Sequence, residues 1–193
     1  MGLEYELKYI ADEDTLSSIA GVLPPASGEK EMRTTYYDTP AGSLSARHYT
    51  LRLRKENGKS VCAVKTPAEE AGRGEWEVEC DSIEAAITEL CKLGAPADLA
   101  DLTAGGVAPL CGAAFHRTTW DLFIGDAYIE LALDKGVLLG GGREEPFCEV
   151  EVELKEGDKE IVDAFGAALA NACGLKKQPK SKFRRAKELA SQG

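Results

Sequence analysis

Charged and apolar residues alternate with a period of two in four short stretches of this chain. Over residues 3–9, Glu4, Glu6 and Lys8 fall on one side, and Leu3, Tyr5, Leu7 and Tyr9 on the other. Residues 49–55 set Arg52 and Arg54 against Leu51 and Leu53, and residues 75–79 set Glu75, Glu77 and Glu79 against Trp76 and Val78. Residues 148–155 set Glu149, Glu151, Glu153 and Lys155 against Val150, Val152 and Leu154. A period of two is the period of a β-strand, whose successive side chains point to opposite faces. Each stretch therefore predicts a strand with one charged face and one apolar face. Further strands are expected over 32–38, over 60–66 as the return of a hairpin at Asn57-Gly58, and over 115–124 and 127–134 as a second hairpin around Gly125-Asp126.

Between the strands the period lengthens to that of a helix. Leu16, Ile19 and Leu23 mark a short helix capped by Asp12 or Asp14 and stopped by Pro24-Pro25, expected to pack on the apolar side of the first strand. A turn spans 38–42, with Leu44 anchoring the return. Asp81 and Glu84 read as a capping box for a helix carrying Ile83, Ala86, Ile87 and Leu90 and closed by Gly94. A short helical piece is expected at 98–103. Ile161, Phe165, Ala168, Leu169 and Ala172 form the stripe of a helix over 159–173 that ends at Gly174, and Ser181 caps a basic helix with Lys182, Arg184, Arg185 and Lys187. Residues 69–74 read as a flexible loop and 140–142 as a mobile one. The order of elements predicts an α+β fold in one domain over residues 1–193, with about eight antiparallel strands closed or nearly closed into a barrel and helices packed outside. Covering the apolar faces with helices turns the charged faces inward.

Composition narrows what such an interior holds. The 193 residues, 44% hydrophobic, suffice for a proper core. Twenty-three basic against 33 acidic residues, a net charge of −10, argue against a nucleic-acid coat or an anionic membrane as partner, so any anion site is local. The six cysteines are scattered without a C-x-x-C pair and there are two histidines, which gives zinc little support and favours reduced thiols in a cytoplasmic setting. No stretch reaches the roughly 18 apolar residues of a membrane span. His116 in a strand and His48 in a loop carry no assigned chemistry. The pairs Glu69-Glu70 and Glu144-Glu145 read as solvated loop charge, and Arg184 and Lys187 as cations suited to a helix end.

Signs are not interspersed on these strands. Two carry acidic rows and another carries Arg52 and Arg54, whereas a face built for solubility mixes signs. Carboxylates two positions apart on a strand lie roughly 6.5–7 Å apart, close enough to share one cluster of divalent cation and polyphosphate. Like-charged rows facing inward need counter-ions, because unpaired buried charge is very costly. A polyphosphate with a divalent metal meets both needs: carboxylates hold the cation, and Lys and Arg hold phosphate oxygens.

Several motifs in order resemble the CYTH, or triphosphate tunnel metalloenzyme, family. They are Glu4-x-Glu6-x-Lys8, Tyr36-Tyr37-Asp38-Thr39-Pro40, Leu51-Arg52-Leu53-Arg54, Val64-Lys65-Thr66, Arg73-x-Glu75-x-Glu77, Phe115-x-Arg117, residues 129–134 and Glu149-x-Glu151-x-Glu153-Leu154. The resemblance implies an eight-stranded antiparallel tunnel that acts with Mg²⁺ or Mn²⁺ on small-molecule triphosphates. It is closest in look to bacterial inorganic triphosphatases, with thiamine and nucleoside triphosphatases as alternatives. It also implies roles: Glu4, Glu6 and the Glu151/Glu153 region, Glu153 preferred, hold the metal, and Lys8, Arg52, Arg54, Lys65, Arg117, Lys182 and Arg185 bind phosphates. Glu75, Asp134 and Glu149 orient basic residues or water. Arg73 is left between tunnel wall and loop. Two departures matter: Thr119 stands where many relatives place a second basic residue after Arg117, and no His-Phe pair precedes Glu4, which disfavours cyclase activity.

Overall fold

A computed structural model describes residues 2–67 and 73–192, with the side chains of all of these except 2–4 and 73. The strands and helices run β1 (Gly2–Ala11), α1 (Glu13–Val22), β2 (Gly28–Asp38), α2 (Ser43–Ala46), β3 (Thr50–Glu56), β4 (Lys59–Thr66) and β5 (Arg73–Glu79). They continue with α3 (Ile83–Lys92), α4 (Leu99–Thr103), β6 (Ala108–Ile124), β7 (Ala127–Gly140), β8 (Arg143–Glu156), α5 (Lys159–Cys173), β9 (Lys176–Lys177) and α6 (Lys182–Ala190). All pairings are antiparallel, in the order β5-β4-β3-β2-β6-β7-β8-β1-β9. A short ladder of Gly2, Leu3 and Glu4 against Glu75, Gly74 and Arg73 brings β1 back to β5, so eight strands return on themselves and the two-residue β9 lies on the free stretch of β1.

Three apolar clusters explain why the charged faces turn inward. Outside, α1 and α5 bring Leu16, Ile19 and Val162 onto Tyr9, Leu131, Val150 and Val152. On the other flank, Leu44, Ile83, Ala86, Leu90 and Leu99 from α2, α3 and α4 cover Leu51, Leu53, Cys62 and Val64. The third cluster lies on the inward face at one end, where Ala186 and Leu189 of α6 pack on Met32, Tyr36, Cys111, Phe115, Leu138 and Phe147. Among the described residues, one helix thus plugs the barrel while five stand outside it. Full burial of a Leu or Val side chain stabilises by about 1.5–3 kcal/mol, so the outer clusters fix which face of each strand is hidden from water.

Local expectations fare unevenly. Asp12 caps α1 through the Thr15 amide at 2.8 Å, Ser181 caps α6 through Arg184 N–H, and Gly174 closes α5 at φ +66. The hairpin at Asn57-Gly58 has both residues at positive φ, as its tight turn requires. The α3 cap is Ser82 rather than Asp81: its Oγ accepts from the Ala85 amide and its hydroxyl donates to Glu84 at 2.8 Å. The α5 stripe is rotated, with Ala168 and Ala172 exposed and Val162 and Gly166 buried, because Gly166 is where Leu7 and Tyr9 cross the helix. Residues 140–142 are the turn of the β7–β8 hairpin, and Glu144 and Glu145 belong to β8 rather than to a loop. Residues 69–72 of the expected loop lie outside the described residues. All six cysteines are free, and among the described residues no helix is long and apolar enough to cross a membrane.

Gly140 is held by contact rather than by a turn. A Cβ there would lie 2.4 Å from the Ala186 carbonyl oxygen and 2.7 Å from the Ala190 nitrogen, both backbone atoms of α6. Gly140→Ala is expected to lower stability by about 1–3 kcal/mol through overpacking, read from urea denaturation. Gly21, inside α1 with nothing within 4 Å, is the opposite case, and Gly21→Ala is expected to stabilise by about 0.5–1 kcal/mol. Equal effects of the two substitutions would show that α6 is not seated against Gly140.

Candidate functional site

Register determines which charges meet inside the barrel. β6, β7 and β8 place Arg117 beside Asp134 and Asp134 beside Glu149, while β1, β8 and β7 place Glu6 beside Glu153 and Glu153 beside Glu130. Arg52 and Arg54 on β3 lie across from Tyr36 and Thr34 on β2, and Lys65 on β4 lies across from Glu75 on β5. The cavity they enclose is about 240 Å³. Five lysines and three arginines line it against seven glutamates, so the lining is close to neutral inside a chain of net charge −10.

The deepest part is a lock between α6 and the sheet. The Lys182 ammonium lies 2.7 Å from Asp134, 2.8 Å from Glu149 and 2.7 Å from Glu151. Arg117 donates two hydrogen bonds of 2.7 Å to Asp134 and a third to Glu151, and Arg185 donates to Glu149. Asp134 is 0% exposed and Glu149 1%. Three carboxylates are thus matched by three cations. Burial alone would lower Lys182, but Asp134, Glu151 and Glu149 raise it well above the ordinary lysine value. Burial would raise Glu151, yet Lys182 and Arg117 hold it well below the carboxylate range, whereas Glu149, desolvated and next to the Glu151 charge, is pushed up to about 7. Asp134, Glu149 and Glu151 present oxygens within 4.8 Å of one another, a spacing that suits a metal ion. The Lys182 ammonium already touches all three.

The basic wall is less committed. Arg52 meets Glu75 at 2.9 Å and Glu77 at 3.1 Å, Lys65 meets Glu75 at 3.3 Å, and Arg54 meets Glu56 at 3.0 Å. Burial and the neighbouring Arg52 lower Arg54 below its ordinary value. Here two arginines and a lysine stand side by side on the wall, an arrangement that suits several phosphate oxygens at once.

Opposite lies an acidic row. Glu6, Glu153 and Glu130 occupy facing positions on three adjacent strands, and like charges directly opposite are destabilising unless a cation joins them. Lys8 reaches Glu6 at 2.5 Å, and Lys155 reaches Glu153 at 2.8 Å and Glu130 at 3.5 Å. Among the described residues, three carboxylates stand beside two ammoniums, an all-oxygen donor set of the kind that suits Mg²⁺ or Mn²⁺. The Glu4 side chain lies outside the described residues, as does that of Arg73.

The tunnel therefore gathers Glu6, Lys8, Arg52, Arg54, Lys65, Glu75, Arg117, Glu151, Glu153 and Lys182 into one lining. It divides the expected phosphate ligands: Arg117, Lys182 and Arg185 are engaged in the lock, while Arg52, Arg54, Lys65 and Lys8 stand along the open cavity. Sequence reasoning passed over Glu130, Lys30, Lys155 and Tyr36, which also line it. Glu130 shares the inward parity of Asp134, and Lys155 that of Glu153, so both were legible from the period of two. Tyr36 has its ring packed 5.0 Å from that of Phe183 and makes no hydrogen bond through its hydroxyl among the described residues. Burial raises its pKa, so the hydroxyl stays a donor throughout the neutral range.

Comparison with known proteins agrees with this geometry. An inorganic triphosphatase from Haemophilus influenzae is 29% identical over 133 residues, covering 68% of this chain and 37% of the relative. A Bacillus subtilis protein named as a triphosphatase is 31% identical over 68 residues, 35% of this chain and 36% of that one. The chain thus matches little more than a third of the length of these curated relatives. Among solved structures, a Hippeastrum protein described as having a dominant triphosphatase activity superposes with a TM-score of 0.67 at 19% identity, covering 97% of this chain and 96% of that one. A Pyrococcus horikoshii protein gives 0.65 at 20% identity over 98% and 99%, and at such identities the likeness is one of fold. The family model of the CYTH domain matches residues 2–186, from the first strand into the last helix, and on that match this chain belongs to the CYTH domain family.

Proposed function

We propose that this chain is a metal-dependent triphosphatase that splits inorganic tripolyphosphate into pyrophosphate and phosphate. The observation that carries the reading is the pairing of a basic wall with an all-carboxylate row across one narrow tunnel. The name of the Haemophilus influenzae relative supports it. Arg52, Arg54, Lys65 and Lys8 bind the phosphate chain through charge-assisted hydrogen bonds, Tyr36 adds a neutral donor, and Glu75 and Glu77 hold the arginines in place. Glu6, Glu153 and Glu130, with Glu4 two residues before Glu6 on the same strand face, would hold Mg²⁺ or Mn²⁺, which supplies positive charge against the phosphate oxygens. Catalysis in such a site is positioning and charge stabilisation of an in-line attack by water, and no side chain need become a covalent nucleophile. The lock keeps α6 seated, so the tunnel is preorganised before substrate arrives. Free thiols throughout suit a reducing cytoplasmic setting, and the net charge of −10 suits a small-molecule partner rather than nucleic acid.

Phosphate release from tripolyphosphate is expected with Mg²⁺ or Mn²⁺ and is expected to vanish in chelator. Equal release with and without metal, or none from any triphosphate, would leave a non-catalytic polyphosphate binder as the better reading. With adenosine triphosphate, chromatography of the products is expected to find no cyclic nucleotide, since Thr119 stands where many relatives place a second basic residue.

The two walls are separable by mutation. Arg52→Ala removes a phosphate donor and is expected to weaken binding and turnover by about 1.5–3 kcal/mol. Glu6→Gln keeps shape but removes a metal ligand and a repulsion toward the polyanion, so metal-free binding is expected to persist or tighten while hydrolysis collapses. Calorimetry without metal beside phosphate-release rates with metal reads the split. Normal hydrolysis by Glu6→Gln would sink the assignment of the acidic row to metal.

A further inference from the structure

Helices cover the outside of the barrel unevenly. α1 and α5 lie over Leu131, Leu133, Val150 and Val152, and α2, α3 and α4 lie over Leu51, Leu53 and Val64. Between these two groups runs a stretch of β2, β6, β7 and β8 whose outward residues belong to none of the three apolar clusters. Thr35, Gly112, Leu139 and Glu144 form one cross-strand row on it. Lys55, Arg33, Ala114, Val137 and Pro146 form the next. On each strand their parity is opposite to that of the inward residues Met32, Arg54, Phe115, Asp134 and Glu149, so both rows point away from the tunnel.

The centre of this face is small and apolar. Ala114, Val137 and Leu139 are partly exposed and Pro146 is exposed. An antiparallel sheet can leave one face in water, but that face then carries polar side chains, and contiguous exposed apolar surface rimmed by charge marks a docking site. The rim is charged, and its signs are separated. On one flank Arg33 and Lys55 are exposed and directly opposed, a like-charge pair that is destabilising by itself. On the other flank stand Glu144 and its neighbour Glu145, both exposed. None of these four has an ion pair or side-chain hydrogen bond among the described residues. One row further along, the charges are answered within the chain, Glu31 by His116 at 2.9 Å and Lys135 by Glu13 at 2.6 Å.

We infer that this face docks a second copy of the chain, as a two-fold dimer whose axis runs along the strands between β6 and β7. Such an axis lays β6 of each copy on β7 of the other and β2 on β8, so the Ala114 and Val137 positions meet at the centre and the basic flank of each copy lies over the acidic flank of the other. One arrangement thus answers all four unpaired charges, twice over. A different protein would need a matching pair of opposite flanks of its own, whereas a second copy carries both. The barrel is convex, so the backbones approach only along β6 and β7, where Gly112 and Ala114 leave room. Towards β2 and β8 the surfaces part, and the long Arg, Lys and Glu side chains span the gap. Glu144 stands one row from Arg33, roughly 7 Å along the strands, within the combined reach of the two. None of these residues lines the tunnel, so the inference stands apart from what the tunnel hydrolyses. A face of four short strand segments is at the small end of protein interfaces, and the dimer is expected to form at micromolar rather than nanomolar concentration.

Sedimentation equilibrium of the full chain over a concentration series tests this. At low salt the wild-type chain is expected to pass from monomer to dimer, and high salt to raise the dissociation constant by about tenfold, because exposed ion pairs are screened. The double variant Arg33→Glu/Lys55→Glu makes both flanks acidic, and Glu144→Lys/Glu145→Lys makes both basic, so each alone is expected to stay monomeric. Mixed in equal amounts the two variants are complementary again, and a heterodimer close to wild type in strength is expected, which also shows that both are folded. Ala114→Arg, a single change at the centre, is expected to weaken the dimer by about tenfold or more with the flanks intact. A wild-type chain that stays monomeric throughout leaves the face to water or to another partner and overturns the inference. So do reversal variants that dimerise alone as well as wild type, variants with wild-type circular dichroism that remain monomers when mixed, or an Ala114→Arg chain that dimerises undiminished.

Discussion

Everything in this barrel depends on neutralising charge that faces inward. An ordinary small barrel fills its interior with apolar side chains, whereas this one exports them to helices on the outside and keeps Glu, Lys and Arg within. Removing one partner of a buried ion pair costs about 3–5 kcal/mol, so the interior tolerates its rows because lysines and arginines stand among the carboxylates. Where the answering charge comes from the protein, as Lys182 answers Asp134, Glu149 and Glu151, the cluster is structural. Along Glu6, Glu153 and Glu130 the described ammoniums are those of Lys8 and Lys155, which stand at the edge of the open cavity rather than in the lock.

Much of this was legible in the sequence because a period of two is enough to assign faces. Glu149, Glu151 and Glu153 share the inward face as their spacing demands, and Arg52 and Arg54 do likewise. The periodicity could not give register. It is the pairing of Lys8 with Glu151 and of Glu6 with Glu153 that sends one glutamate of the row to the lock and the next to the acidic row, a distinction of two residues on one strand. Nor could a helical wheel foresee that α5 turns Gly166 rather than Ala168 toward β1, since the deciding factor is the bulk of Tyr9 on another element. Set aside as unassigned or helix-end cations, His48, Arg184 and Lys187 line one cavity beside the tunnel because the turn after α2 and the helix α6, far apart in sequence, border the same opening.

The plug helix joins the structural and chemical halves of the molecule. Ala186 and Leu189 close one end of the barrel with apolar contacts, while Lys182 and Arg185, on the same helix, hold the buried carboxylates. Its seating therefore fixes both how much water reaches the tunnel and how the cations of the lock are aimed. The close approach at Gly140 lets the helix backbone lie against the sheet, and any side chain there would lift both functions together.

The three-residue ladder between β1 and β5 also bears on how the chain folds. β1 precedes every other strand of the domain, yet its main partner is β8, with Tyr5 paired to Leu154 and Ala11 to Cys148. The strand that completes the ring on both sides must wait until β8 has been made, and contacts so distant in sequence slow folding because loop closure is costly before they form. The hairpins β3–β4, β6–β7 and β7–β8 are local and have no such delay. Assembly by this logic runs from an open, curved sheet that curls shut when the first strand of the domain finds β8, and a nascent chain lacking β8 has no barrel to enter.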